Sequence, residues 1–149
     1  GSAFKQAEAT PSSLSPDETY SYMSLWSLMA APLFFSGDME RLDDFTLNVL
    51  CNAEIIAINQ DPLGKQARVI RHTATELVLA KPLENGALAI GLFNLDREPR
   101  VVSATWQELG LTGKRKLRDP WRQSNRPAAK NSVHTTVAPH GMAMMVLSR

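Results

Sequence analysis

Carboxylates cluster at four places in this 149-residue chain: Asp17-Glu18, Asp38 with Glu40, Asp43-Asp44, and Asp96 with Glu98. A retaining glycosidase needs two carboxylates facing each other across a cleft, about 5–5.5 Å apart. Acidic neighbours at a helix start do not converge that way; they face free backbone N–H groups and the positive end of the helix dipole. Asp17, Glu18, Asp43 and Asp44 therefore read as helix-start residues, and Asp96 and Glu98 as solvated loop charges. His72, His134 and His140 show neither His-x-x-x-His nor Glu-x-x-His spacing, so no metal site is expected. His140 falls in the turn Pro139-His140-Gly141, where bonding to local backbone is the expected role rather than general-base work. The single cysteine, Cys51, excludes an internal disulfide and reads as an inert buried thiol. Ser36-Gly37-Asp38 is not the Gly-x-Ser-x-Gly of a nucleophile elbow. Lys114-Arg115-Lys116 is the only basic run, and in a strand its members alternate faces instead of forming a patch. Tyr20, Trp106 and Trp121 are of the type that stacks on sugar rings, although their large apolar area also suits core or seam packing. By themselves these residues define no catalytic constellation, no metal site and no cofactor cradle.

The elements that would position them change character near Gly64. Before it, apolar residues recur with helical spacing; after it come short β-branched runs divided by turn residues. Ser15 with Pro16 and Glu18 forms a capping box with proline at the first helical position, predicting a helix over 16–30. Its apolar stripe would hold Tyr22, Leu25, Trp26 and Met29, widened by Met23 and Leu28. Leu33-Phe34-Phe35, bounded by Pro32 and Gly37, reads as one fully buried strand of the parallel kind. A helix over 43–51 and a short one over 53–59 follow, the latter capped by Asn52 and facing inward through Ile55 and Ile58. This is α/β alternation with a single strand, and one strand cannot bury itself.

From 65 onward the pattern is antiparallel. Strands are predicted over 67–72, 76–81, 87–94, 100–105, 114–119, 133–137 and 142–147, with Glu84-Asn85-Gly86 turning a hairpin. Seven short strands at such intervals suggest a β-sandwich. A net charge of +1 argues against nucleic-acid or membrane-surface partners, which select a basic surplus. The longest apolar run, 29–35, is far below the roughly 20 residues of a membrane span. Residues 1–13 lack the apolar centre of a signal peptide. Nothing points to a compartment.

Leu14-Ser15-Pro16-Asp17-Glu18, the run from Tyr22 to Leu33 (YMSLWSLMAAPL) and that from Glu54 to Gln66 (EIIAINQDPLGKQ) closely resemble the α-galactosidase (melibiase) family, glycoside hydrolase family 27. So do Trp106-Gln107-Glu108-Leu109-Gly110-Leu111, Arg118-Asp119-Pro120-Trp121 and Pro139-His140-Gly141-Met142. The family pairs a (β/α)8 barrel with a C-terminal antiparallel sandwich. The resemblance thus implies an α/β fragment at 1–64, the last strand and helices of a TIM barrel, followed by an all-β sandwich at 65–149. It implies hydrolysis of terminal α-galactosides with retention, by an aspartate nucleophile and an aspartate acid/base, without metal or cofactor. The family's Lys-x-Asp and Asp-Pro-Asp-Met-Leu motifs do not occur in the sequence, so no catalytic residue is assigned and the chain alone is expected to be inactive. Its implied partners are the sugar and the missing barrel portion. Ser36 and Asp38, after the last strand, would lie at the barrel mouth, where such sites sit; Asp38 equally suits a helix cap. The choice between α-galactosides and α-N-acetylgalactosaminides, and that between a hydrolase part and a non-catalytic β-sandwich module for carbohydrate binding or interaction, both stay open at this point.

Overall fold

The computed structural model describes residues 16–29 and 52–149. The expected strand at 33–35, the expected helix over 43–51, the Ser15 cap, Cys51, and Ser36 and Asp38, expected at a barrel mouth, lie outside the described residues. Among the described residues two helices come first, α1 (Pro16–Leu28) and α2 (Ala53–Asn59). Then follow β1 (Arg68–His72), β2 (Glu76–Pro82), β3 (Leu88–Asn94), β4 (Arg100–Thr105), α3 (Trp106–Leu109), β5 (Arg115–Asp119), β6 (Ser124–Ala129), β7 (Ser132–Val137) and β8 (Met142–Ser148).

The strands form two antiparallel sheets, one of six strands in the order β1-β2-β3-β8-β5-β6 and one of two, β4-β7. Strand alternation divides the six-stranded sheet into two apolar faces. One face carries Val78, Ala80, Ile90, Leu92, Leu117 and Leu147, which pack with Val102, Ala104 and Val133 of the small sheet. The opposite face carries Leu79, Ala89, Phe93 and Met144, which pack with Leu28 of α1 and Ile55 and Ile58 of α2. Strand β3 is consequently buried at all seven positions. The antiparallel architecture agrees with the expected sandwich, and α1 and α2 cover the outer face of its larger sheet.

Helix α2 starts and ends where its sequence predicts. The Asn52 side-chain oxygen accepts from the N–H groups of Glu54 and Ile55 at 3.0 and 3.1 Å. Helix α1 ends at Leu28 instead of residue 30, and its buried face matches the expected stripe only in part. Met23, Ser24, Ser27 and Leu28 are buried, while Leu25 is 39% exposed; the side chains of Tyr22 and Trp26 lie outside the described set. The reason is a polar seam, which buries two serines where a hydrophobic count looks for apolar residues.

Two elements escape the sequence reading. Strand β6 is exposed at five of its six positions, so it lacks the apolar alternation that marks a half-buried strand, and its Pro127 is tolerated because it sits on a sheet edge. Helix α3 is only four residues long, yet it has a full capping box. The Thr105 hydroxyl accepts from the Glu108 N–H at 3.2 Å, and the Glu108 carboxylate accepts from the Thr105 N–H at 3.1 Å. Gly110, at φ 71°, closes it in the left-handed conformation that favours glycine.

The helices are held to the sheet by groups that complete their ends. Lys81, on β2, is fully buried and donates through Nζ to the carbonyl oxygens of Ser27, at 3.2 Å, and Ile58, at 2.5 Å. These carbonyls belong to the C-terminal turns of α1 and α2, where helix dipoles are negative. The Ala67 N–H reaches the Leu28 carbonyl at 2.9 Å. Asn52 donates to the carbonyls of Pro120 and Trp121 at 3.0 and 3.2 Å. Arg118 of β5 forks onto Glu54 at 3.0 and 3.2 Å. Close approach is made possible by Gly91, where a Cβ would stand 2.6 Å from Phe93 Cε2 and 2.7 Å from Leu28 Cδ1.

Gly91→Ala should therefore destabilise the chain by about 1–3 kcal/mol, the usual range for overpacking a dense contact, read as a lower urea midpoint. Lys81→Met, which strips the Ser27 carbonyl of its buried donor, should cost about 1–3 kcal/mol in the same measurement.

Candidate functional site

The titratable groups of the described residues act mainly on structure. Asp17 and Glu18 lie exposed in the first turn of α1, as a helix start requires. His72 and His134 are exposed on β1 and β7. His140 sits in its turn at φ 56°, donates its N–H to the Asp96 carbonyl at 3.3 Å and accepts from Ser21 Oγ at 2.9 Å. Asp96 is not a plain solvated charge. Its carboxylate accepts from the Arg97 N–H at 2.7 Å and pairs with Arg100 at 3.0 Å, and these contacts, the first foremost, hold its pKa below the usual value. Lys114-Arg115-Lys116 makes no patch: Arg115 is buried and donates to the Thr112 carbonyl, while Lys116 faces out. Among the described residues no three His, Cys, Asp or Glu side chains gather as a metal site would need.

The aromatic residues separate. Trp106 is buried in the sandwich and donates its indole N–H to the Gly113 carbonyl at 2.7 Å, so it is a core residue. Trp121 is half-buried at the helix seam. It donates to Ser24 Oγ at 2.7 Å and meets Tyr20 edge-on, ring centres 4.8 Å apart and planes at 73°.

Around that pair lies a cleft of about 420 Å³. It opens because β5 pairs with β8 only at Lys116, Leu117 and Arg118, whereas β3 follows β8 out to Met142. The β5–β6 turn departs from the sheet there. Its walls carry Asp119, Trp121 and Arg122 from that turn, Arg126 from β6 and the Thr135 and Thr136 pair from β7. Sequence reasoning reached Trp121 and Tyr20 as sugar-stacking types but none of their companions, because 119–136 come together only through the turn and the sheet order.

The fold defines the class first: an antiparallel two-sheet domain whose larger sheet is backed by helices. Residues 75–147 match the sequence model described as the alpha galactosidase C-terminal beta sandwich domain, and residues 10–61 match the one described as alpha galactosidase A. An alpha-galactosidase of Oryza sativa subsp. japonica is 36% identical over 137 residues, which cover 91% of this chain and 33% of that protein. A GH27 β-L-arabinopyranosidase from Geobacillus stearothermophilus superposes with a TM-score of 0.86 at 26% identity, over 92% of this chain and 31% of that one. Alpha-galactosidase I from Mortierella vinacea shares the fold, with a TM-score of 0.85 at 22% identity over 90% of this chain and 36% of that one. The chain belongs to the α-galactosidase (melibiase) family, glycoside hydrolase family 27. It spans about a third of the length of the curated relatives it matches.

Glu108 gives the domain a measurable pH response. The Thr105 N–H, the Thr105 hydroxyl and Arg71 hold its carboxyl below the usual 4.5, against a smaller opposing effect of burial. A depressed carboxyl contributes stability that is present above its unfolded value and lost as pH falls through the folded one. The urea midpoint should therefore fall below about pH 4.5, and Glu108→Gln should flatten that fall while lowering the midpoint at neutral pH.

Proposed function

We propose that this chain forms the C-terminal part of a retaining glycoside hydrolase acting on terminal α-galactosides. In this reading residues 1–64 are the closing end of its (β/α)8 barrel and 65–149 are its β-sandwich. The observation that carries it is the outer face of the six-stranded sheet. An antiparallel sheet with one face in water alternates apolar and polar residues. Here Leu79, Ala89, Phe93 and Met144 make that face apolar, and α1 and α2 lie on it. A sandwich built to hold the flank of a helical layer explains this; a free-standing sugar-binding module does not call for it.

The chemistry follows from the family. One carboxylate attacks the anomeric carbon while a second protonates the leaving oxygen; the second then activates water to release the sugar with retained configuration. Such a double displacement needs no metal or cofactor. The two aspartates belong to motifs absent from these 149 residues, and the exposed Asp17 and Glu18 of α1 are no substitute. The role left to this chain is positional. Lys81, Asn52 and the Arg118–Glu54 pair hold the sandwich against the helices, so its partners are the barrel portion with the aspartates and, through it, the α-galactoside. Ser36 and Asp38 remain the residues assigned to the barrel mouth.

The purified chain should release no nitrophenol from p-nitrophenyl α-galactopyranoside, nor from the α-N-acetylgalactosaminide, above a mock preparation. Turnover that co-purifies with the chain would overturn the assignment of the catalytic residues to another segment.

A further inference from the structure

We propose that the cleft between the first turns of α1, the β5–β6 turn and the beginning of β8 binds a neutral saccharide, either a hexopyranose or the end unit of an oligosaccharide. Its volume, about 420 Å³, lies within the range of roughly 300–1,000 Å³ common to small-ligand pockets. Its chemistry is more telling than its size. A sugar hydroxyl both donates and accepts, so a saccharide site needs acceptors and donors together, with an apolar wall for the C–H face of the ring. The Asp119 carboxylate supplies acceptors, the guanidiniums of Arg122 and Arg126 supply forked donors, and Thr135 and Thr136 supply hydroxyls. Trp121 and Ala143 form the apolar wall.

The opposing charges also decide against other ligands. A phosphate would meet Asp119 and Asp17, and an amine or metal cation would meet two arginines, whereas a neutral polyol uses both signs. The parts are set in advance. Asp119 is 13% exposed in its side chain, and its Oδ1 is fixed by the Arg122 N–H at 3.1 Å. The Trp121 ring is pinned by Ser24 and Tyr20. Arg122 is only loosely engaged, its Nε 4.0 Å from Asp119 Oδ2 and its side chain 81% exposed, so its donors can be turned to a ligand.

The choice of a galactoside as first probe rests on the reading given under Proposed function; the cleft itself does not. The test is titration of the full chain, followed by ¹H–¹⁵N spectra, with methyl α-D-galactopyranoside, then the glucoside and mannoside, with inorganic phosphate as the control. Saturable shifts of the Thr136 and Ala143 amides with any of the three sugars are expected. Arg122→Ala and Arg126→Ala, both at exposed side chains, should each weaken that binding on the order of tenfold with an unchanged Tm. Absence of saturable shifts for all three sugars into the tens of millimolar would overturn the proposal. So would saturation by phosphate instead, or sugar binding that neither variant affects. The hydrolase reading is judged by turnover, so the two can fail separately.

Discussion

One buried cation organises the contact between the helices and the sandwich. Lys81 leaves β2 on the same side as Leu79, among apolar neighbours, where an ammonium group loses its water. Burial pushes its pKa down, and the Asp61 carboxylate offsets part of that. The cost is tolerable because the ammonium meets two negative helix ends at once. A methionine or leucine at 81 would suit the strand pattern, but it would satisfy neither carbonyl. The directional bonds of Lys81 give the apolar contact a register that burial alone, being non-directional, does not supply. The neighbouring contacts of Asn52, Arg118 and Trp121 add further fixed points along the same seam.

The other face of the large sheet is organised differently. A two-stranded sheet covers a six-stranded one, and polar side chains tie the margins that the apolar core does not reach. Arg71 bonds to Glu76 on the adjacent strand and to Glu108 beyond the small sheet, and also to the Ser103 carbonyl on β4. At the opposite end the buried Asn94 amide donates to the carbonyls of Glu98, Val137 and Ala138, collecting the β3–β4 loop and the end of β7 onto one residue. Both residues connect elements far apart in sequence, which is what a sandwich with crossing connections demands.

Much of this was legible from residue order. The Asn52 cap, the Ile55 and Ile58 face of α2, and the hairpin at Glu84-Asn85-Gly86 follow from local chemistry that tertiary contacts reinforce. Seven of the eight strands among the described residues show in alternation or β-branching. The Thr105-Gln107-Glu108 region carries a capping-box spacing that marks α3, but the strand running into it hides the signal. What could not be read is set by partners distant in sequence. Ser24 and Ser27 are buried on α1 because Trp121 and the seam around Lys81 lie opposite them. A lysine in the strand at 76–81 suggests an outward face until both helix ends are placed beside it. The cleft was still less visible, since its walls come from α1, the β5–β6 turn, β7 and β8.

The outermost strands of the large sheet have a further consequence. β6 has no amide hydrogen at Pro127 and carries Arg126 beside it. β1, at the other margin, is irregular between Val69 and Arg71, where its pairing shifts. Neither border offers the straight ladder of free donors and acceptors on which a stranger's backbone would zip up. An otherwise extensible array thus terminates itself at both sides, and its apolar strands are shielded from edge-to-edge growth into fibres.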